Sequence, residues 1–297
     1  MDEGLREIFC RELYINEVRK WEDLNIDCLL NIFERVGLNP LIFDLPFVCK
    51  SWYKASRDPY CWKILDFTCI SFEQRYFESI IFVNGQPPAD DDARWCLFTK
   101  FVIKFAADHS CGIATTVVFH HHLFYNILQY PLERCPAVKN LILPHYCIPN
   151  LSIRDELKDI PKLIHKWKDL ESLSLSCYSH FTAILAQIQI HCKKLVSLTT
   201  SYYIGTRQAS AIVTFVPNIK HLVLRSCFLP RKNLIRILSG CRELELLDVT
   251  SCTGFDADDV EILTMASYIK TFMSNDSEED DIDPDWGEEE SASDISD

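Results

Sequence analysis

Residues 21–62 read WEDLNIDCLLNIFERVGLNPLIFDLPFVCKSWYKASRDPYCW, and the spacing of their apolar side chains decides how the chain begins to fold. Leu29, Ile32, Phe33 and Val36 recur at i, i+3, i+4, i+7, which places them on one face of a helix. Gly37 is a natural stop for that helix. Asn39 and Pro40 predict the next start, with Asn39 as the cap and Pro40 in the first helical position. Val48, Trp52 and Ala55 repeat the helical spacing, with Cys49 beside them and Lys50 and Lys54 turned outward. Leu24, Ile26, Leu30, Phe43 and Leu45 add more apolar surface than about forty residues can bury alone. Such a segment docks on the rest of its own chain or holds a surface for another protein.

The order Leu24, Asp27, Leu30, Ile32, Phe33, then Val48, Cys49, Lys50, Trp52, then Asp58, Pro59, Trp62 resembles the F-box. Asn25 stands where that family usually has proline, and Asn caps a coming helix as well as proline begins one. The resemblance implies a three-helix module that docks on a Skp-type adaptor, and through it on a cullin and a RING subunit. It implies an adaptor-binding set of Leu24, Ile26, Leu29, Leu30, Ile32, Phe33, Val36, Leu45, Val48, Cys49 and Trp52, centred on Phe33, Val48 and Trp52.

Outward from this module the chain becomes periodic. The unit apolar-x-x-apolar-x-apolar reads Ile113/Thr116/Val118, Val138/Leu141/Leu143, Leu170/Leu173/Leu175, Leu195/Leu198/Thr200, Ile219/Leu222/Leu224 and Leu244/Leu247/Val249, with a worn copy at Ile269/Phe272. The interval is 24 or 25 residues except for one of 32, which carries an insertion around residues 150–158. That is the period of a leucine-rich repeat. Ser110, Cys135, Trp167, Cys192, Val216, Cys241 and Ala266 precede the units by three. His121, Tyr146, Tyr178, Tyr203, Cys227 and Cys252 follow them by three. These columns resemble the cysteine-containing repeats that commonly follow an F-box in plants, with Tyr departing from the usual Asn or Cys.

Between the units Leu234, Ile237, Leu238 and Cys241, like Ile160, Leu163, Ile164 and Trp167, take helical spacing. Each repeat is therefore a strand plus a helix whose apolar face needs its neighbours. The expected architecture is α/β: residues 1–20 helical or frayed, an F-box over 21–62, a short repeat arc over 63–273, and an acidic tail over 274–297. The sequence also predicts a strand through Trp62, Leu65 and Phe67 and a helix over 71–82. An exposed loop follows at 84–92, then a helix through Trp95, Phe98, Phe101, Val102 and Phe105.

Charge and composition narrow the function. The net charge of −13 is concentrated in the tail, whose twelve carboxylates leave 31 acidic against 30 basic side chains elsewhere. A nearly neutral folded part does not point to nucleic acid, and a tail so rich in Asp, Glu and Ser is expected to be disordered. The charged start has no apolar signal region. The uncharged run 110–132 contains three histidines and a proline, which argues against a membrane span. None of the fourteen cysteines forms a C-x-x-C pair, so zinc and disulfide frameworks are not indicated, and most thiols are expected to be buried small hydrophobes. His120, His121 and His122 alternate faces if on a strand and cannot converge on one metal ion. No phosphate loop, H-E-x-x-H or G-x-S-x-G occurs, so no enzyme and no cofactor is expected.

The resemblance implies a substrate receptor of an SCF-type ubiquitin ligase, and a chain of 34.5 kDa with no evident import signal leaves nucleus and cytoplasm both open. A hormone-type small-molecule receptor and a non-degradative scaffold are the alternatives. The target is expected on the concave face, at the outward positions of each strand: Thr115/Val117/Phe119, Asn140/Ile142/Pro144, Ser172/Ser174/Ser176, Ser197/Thr199/Ser201, His221/Val223/Arg225 and Leu246/Asp248/Thr250. Ser172, Ser174, Ser197, Thr199, His221, Arg225 and Asp248 form the candidate target site. Arg225 leads because its planar fork suits a carboxylate or phosphate.

Overall fold

The computed structural model describes residues 21, 24–70, 91–119, 125–144, 159–176 and 180–274. The expectations for 1–20, 71–82, 84–90, His120–His122, Tyr146, Tyr178, the 150–158 insertion and the tail from residue 275 lie outside them.

Among the described residues the first three α-helices are α1 (Ile26–Phe33), α2 (Leu38–Phe43) and α3 (Lys50–Ser56). Asn25 caps α1 by accepting the Asp27 backbone N–H at 3.2 Å, so it does the work expected of it in place of proline. The chain then turns at Gly37, whose φ of 86° favours glycine. Here the structure corrects the sequence reading: α2 begins at Leu38, not after Asn39. Pro40 fits inside the first turn because the N–H it lacks would have had no helical partner there. A 3₁₀ turn over Leu45–Phe47 carries the chain into α3. Asp58 then caps a second 3₁₀ turn, Pro59–Trp62, by accepting the Tyr60 N–H at 2.9 Å.

The sheet starts two residues later, with no linker. Strands β1 (Ile64–Asp66), β2 (Thr116–Val118), β3 (Asn140–Ile142), β4 (Ser172–Ser176), β5 (Ser197–Tyr203), β6 (His221–Val223), β7 (Cys227–Phe228), β8 (Leu246–Asp248) and β9 (Thr271–Met273) are parallel. They run in chain order, except that β6 and β7 both pair with β5, as one line interrupted at Leu224–Ser226. Leu65, Val117, Leu141, Leu173, Leu198, Leu222, Leu247 and Phe272 align across the sheet. Trp62/Leu65/Phe67 is thus the first rung of the repeat, although only residues 64–66 are strand.

The same alignment corrects the register of the next rung. Its inward residues are Ala114, Val117 and Phe119, all buried, while Ile113 is exposed and Thr116 and Val118 are half-buried on the other side. The cause is one extra residue between Ser110 and the strand. Cys111 (φ 47°) and Gly112 (φ 82°) absorb it in left-handed conformations. Ser110 keeps its buried place in the column, and everything after it shifts by one. A one-residue shift exchanges the two faces of a strand.

Helices α4 (Asp91–His109), α5 (Tyr125–Arg134), α6 (Ile160–Leu163), α7 (Phe181–His191), α8 (Thr206–Phe215), α9 (Arg231–Gly240) and α10 (Val260–Ala266) join successive strands and pack side by side. Leu234, Ile237, Leu238 and Cys241 are all buried, as their spacing predicts. So are Ile160, Leu163, Ile164 and Trp167, although α6 tightens to a 3₁₀ turn at Ile164–Lys166. This is the expected α/β architecture, an F-box leading into a parallel repeat arc.

One continuous core runs through both parts. Phe43 of α2 stacks on Phe98 of α4 at 6.0 Å, and Phe67 stacks on Phe119 at 5.6 Å. The Lys63 carbonyl accepts both the Thr115 and Thr116 N–H groups, at 2.8 and 3.1 Å. The residue that directly follows Trp62 is thereby part of the sheet ladder.

The cysteine column also has a physical explanation. Cys252 donates its thiol to the Leu224 carbonyl (2.7 Å) and Cys227 to that of Thr200 (3.7 Å), each reaching the last inward position of the preceding rung. Tyr203 does not belong to that column: Tyr202 pairs with Cys227, and Tyr203 pairs with Phe228.

Candidate partner-binding surfaces

Two surfaces of the described residues bear on binding. The first is on the N-terminal module. Leu29, Phe33 and Leu45 of the expected adaptor set are buried, and Leu24, Leu30, Val36, Cys49 and Trp52 are half-buried. Phe33 and Trp52 meet edge-on at 5.3 Å, and the Trp52 indole N–H donates to the Trp21 carbonyl at 3.3 Å. Phe33 therefore belongs to the hub of the module and cannot be the accessible centre that its helical stripe suggested.

Ile26, Ile32 and Val48 stay exposed. Beside Val48 lies the residue that the sequence reading passed over, Phe47, with 79% of its surface in solvent against 56% for Val48. The signal was Pro46, inside the first turn of the 3₁₀ segment Leu45–Phe47 that buries Leu45 and leaves Phe47 outward. This turn and α1 both pack on α3, so one helix supports both sets of exposed apolar side chains.

The second surface is the helix-free face of the sheet. Ser172, Ser197, Thr199 and His221 are half-buried there, and Ser174 is buried. Val117 and Phe119, expected on this face, point into the core for the register reason given above; Thr116 and Val118 take their places. Asp248 is also not an open contact. Only 1% of its side chain is exposed, and its Oδ1 accepts the Thr250 N–H and hydroxyl at 3.1 and 2.8 Å. Its Oδ2 accepts the Arg225 Nε–H. Arg225 itself is 63% exposed.

Along the edge where the strands begin, ion pairs form a ladder: Lys139 with Glu171 (2.9 Å), and Glu245 with both Lys220 (2.9 Å) and Lys270 (2.6 Å). Hydrogen bonds from Lys270 and Lys220 hold the Glu245 carboxyl down at about 2. The face is nearly neutral and lined with hydroxyls, with Arg225 as its most exposed cation among the outward strand positions.

Burial pushes the Cys61 and Cys241 thiols up to about 12 and those of Cys135 and Cys192 to about 11, so they stay protonated at neutral pH. Among the described residues no group of His, Cys, Asp and Glu is arranged to hold a metal, and no helix is long and apolar enough to cross a membrane.

Comparison with known proteins agrees with this arrangement. The F-box domain model matches residues 21–64. The chain is similar to F-box/LRR-repeat protein At3g48880 of Arabidopsis thaliana, 31% identical over 237 residues that cover 78% of this chain and 72% of the relative. F-box protein SKIP1 from the same plant is 26% identical over 261 residues, 81% of each chain. F-box protein FBW2 is 25% identical over 251 residues, covering 82% of this chain and 71% of that one. With its exposed apolar turn, its fused parallel sheet and these relatives, the chain belongs to the F-box/LRR-repeat family of SCF-type substrate adaptors.

Proposed function

We propose that residues 21–62 dock on a Skp-type adaptor, and through it on a cullin and a RING subunit, while residues 63–273 hold a protein target for ubiquitination. The observation that carries this reading is the junction. The Pro59–Trp62 turn passes into β1 at Ile64 without a linker, and Lys63 shares its carbonyl with the second strand. A receptor needs this rigidity, because it works by holding target lysines at high effective concentration near the transferring enzyme. It makes and breaks no bond itself.

Docking is assigned to Phe47, Val48, Ile26 and Ile32, with Trp52 and Phe33 supporting them from beneath. Target recognition is assigned to the helix-free face around Ser172, Ser197, Thr199, His221 and Arg225. The test is affinity purification of the full chain from cells with the ligase inhibited, comparing wild type with Ser197→Trp. The indole would cover the middle of the strip. The expected result is loss of the trapped targets with adaptor recovery unchanged. Identical partners for a folded Ser197→Trp protein would remove the helix-free face as the recognition surface.

A further inference from the structure

We propose that Arg225 is a pre-oriented receptor for a side-chain oxyanion, carboxylate or phosphate, on a target segment whose neighbouring apolar side chain lies on the Tyr203–Phe228 pair. This inference rests on the reading that the helix-free face holds the target, and it gives the target a chemistry.

The backbone places Arg225. Val223 pairs with Thr199, but Cys227 pairs with Tyr202, so the line of β6 and β7 holds one residue more than β5 opposite it. The extra residue is taken up at Ser226, in the left-handed region at φ 53°. Arg225 is pushed out from the sheet at this step. One repeat later Ser251 makes the same excursion at φ 55°, with Thr250 in the place equivalent to Arg225. Thr250 and Arg225, from adjacent rungs, both hydrogen-bond Asp248.

The repeat itself does not require a carboxylate at Asp248. The same column carries Val118, Ile142, Ser174, Thr199, Val223 and Met273 on other strands; only Asp66 repeats the carboxylate, and it too accepts the N–H and hydroxyl of the Thr two residues on, Thr68. A buried carboxylate is costly, and an apolar residue of similar volume often serves a fold at least as well. What Asp248 adds beyond the turn bonds it shares with Asp66 is orientation. It grips the Nε edge of the guanidinium and leaves the two terminal nitrogens with no partner among the described residues. Those nitrogens form the fork that matches a carboxylate or phosphate, and their rotamer freedom is already spent. Asp248 is in this sense a positioning residue, and Arg225 the contact.

The apolar half of the site is the next outward position on each line. Tyr203 and Phe228 lie ring on ring, centroids 5.7 Å apart and 4° from parallel, yet are 51% and 45% exposed. Gly205 lies against the Tyr203 ring where a β-carbon would collide with it, so the chain keeps a glycine there and the ring stays flat. An exposed aromatic stack beside a braced arginine suits a segment that carries an acidic group next to a large apolar one.

The test uses the full chain and immobilised short peptides with glutamate, phosphoserine, glutamine or serine at the centre, each flanked either by leucine or by serine. Leucine-flanked peptides with glutamate or phosphoserine at the centre are expected to be retained at least about tenfold better than their neutral counterparts. Comparing these two arms tells carboxylate from phosphate. The double variant Arg225→Gln/Asp248→Asn keeps a neutral hydrogen-bonding pair, so no unpaired charge is buried, and it is expected to abolish the preference. Tyr203→Ala/Phe228→Ala is expected to erase the advantage of leucine flanks alone. Equal retention of acidic and neutral peptides, or an acid preference that survives the double variant, overturns the proposal. If the acid preference is absent while Ser197→Trp still empties the target trap, only the oxyanion inference fails. If Ser197→Trp leaves the trapped partners unchanged, the receptor surface itself is wrong.

Discussion

The indole of Trp62 meets the ring of Phe105 edge-on with centroids 5.6 Å apart, and Trp62 donates its N–H to the Ser56 carbonyl at 2.8 Å. One buried side chain thus ties the end of α3 to α4 of the repeat part. The two parts should therefore unfold together. We expect the full chain to lose its secondary structure in one thermal transition, and Phe105→Ala to lower stability by about 2–4 kcal/mol, somewhat below the usual cost because Phe105 is half-buried. Two well-separated transitions in the wild-type protein would show that the F-box and the sheet are independent.

The register of β2 makes a sharp contrast between adjacent residues. Val117→Asp places a carboxylate in the core and is expected to cost at least about 3 kcal/mol in chemical denaturation. Thr116→Asp, on the helix-free face, is expected to stay within about 0.5 kcal/mol. The opposite ranking would restore the register that puts Thr116 inside.

Acid sensitivity has an identified contributor. Lys270 and Lys220 depress the Glu245 carboxyl to about 2, from an ordinary value near 4.5. A carboxyl depressed by folding stabilises the native state above its unfolded value and loses that contribution as pH falls. Glu245→Gln is therefore expected to flatten the stability profile between about pH 4.5 and pH 2, measured at low salt, and to change little at pH 7 beyond the loss of two screened pairs. An unchanged acid limb would mean that the ladder at the strand starts adds nothing to stability.

Much of this architecture is readable from spacing. The inward column from Leu141 to Leu247 and the helix stripe of Leu234, Ile237, Leu238 and Cys241 are local patterns that repeat, so each copy checks the others. Counting from Ser110 exchanges Thr116 and Val117 because it assumes a fixed turn length. The positive φ values of Cys111 and Gly112 that lengthen that turn leave only one glycine as a trace in the sequence.

The sites were less legible than the fold for a related reason. Helical periodicity identifies a stripe on α1 but not what covers it, so Phe33, which Trp52 packs against, looked available while Phe47 did not. Asp248 reads as an outward polar residue. Its burial depends on Arg225, 23 residues away, and on Thr250 with its neighbour in the left-handed region, a long-range arrangement that no local pattern carries.

The adaptor interface is the most direct place to test the whole account. The measurement is calorimetric titration of the purified full chain with a purified Skp-type adaptor, for wild type and for Phe47→Ser/Val48→Ser, with melting temperatures recorded for both. Exposed apolar anchors of this kind are worth about 2 kcal/mol or more together, so the double variant should bind at least about thirtyfold more weakly at an unchanged melting temperature. Absence of binding by the wild-type chain, or undiminished binding by a folded double variant, would contradict it.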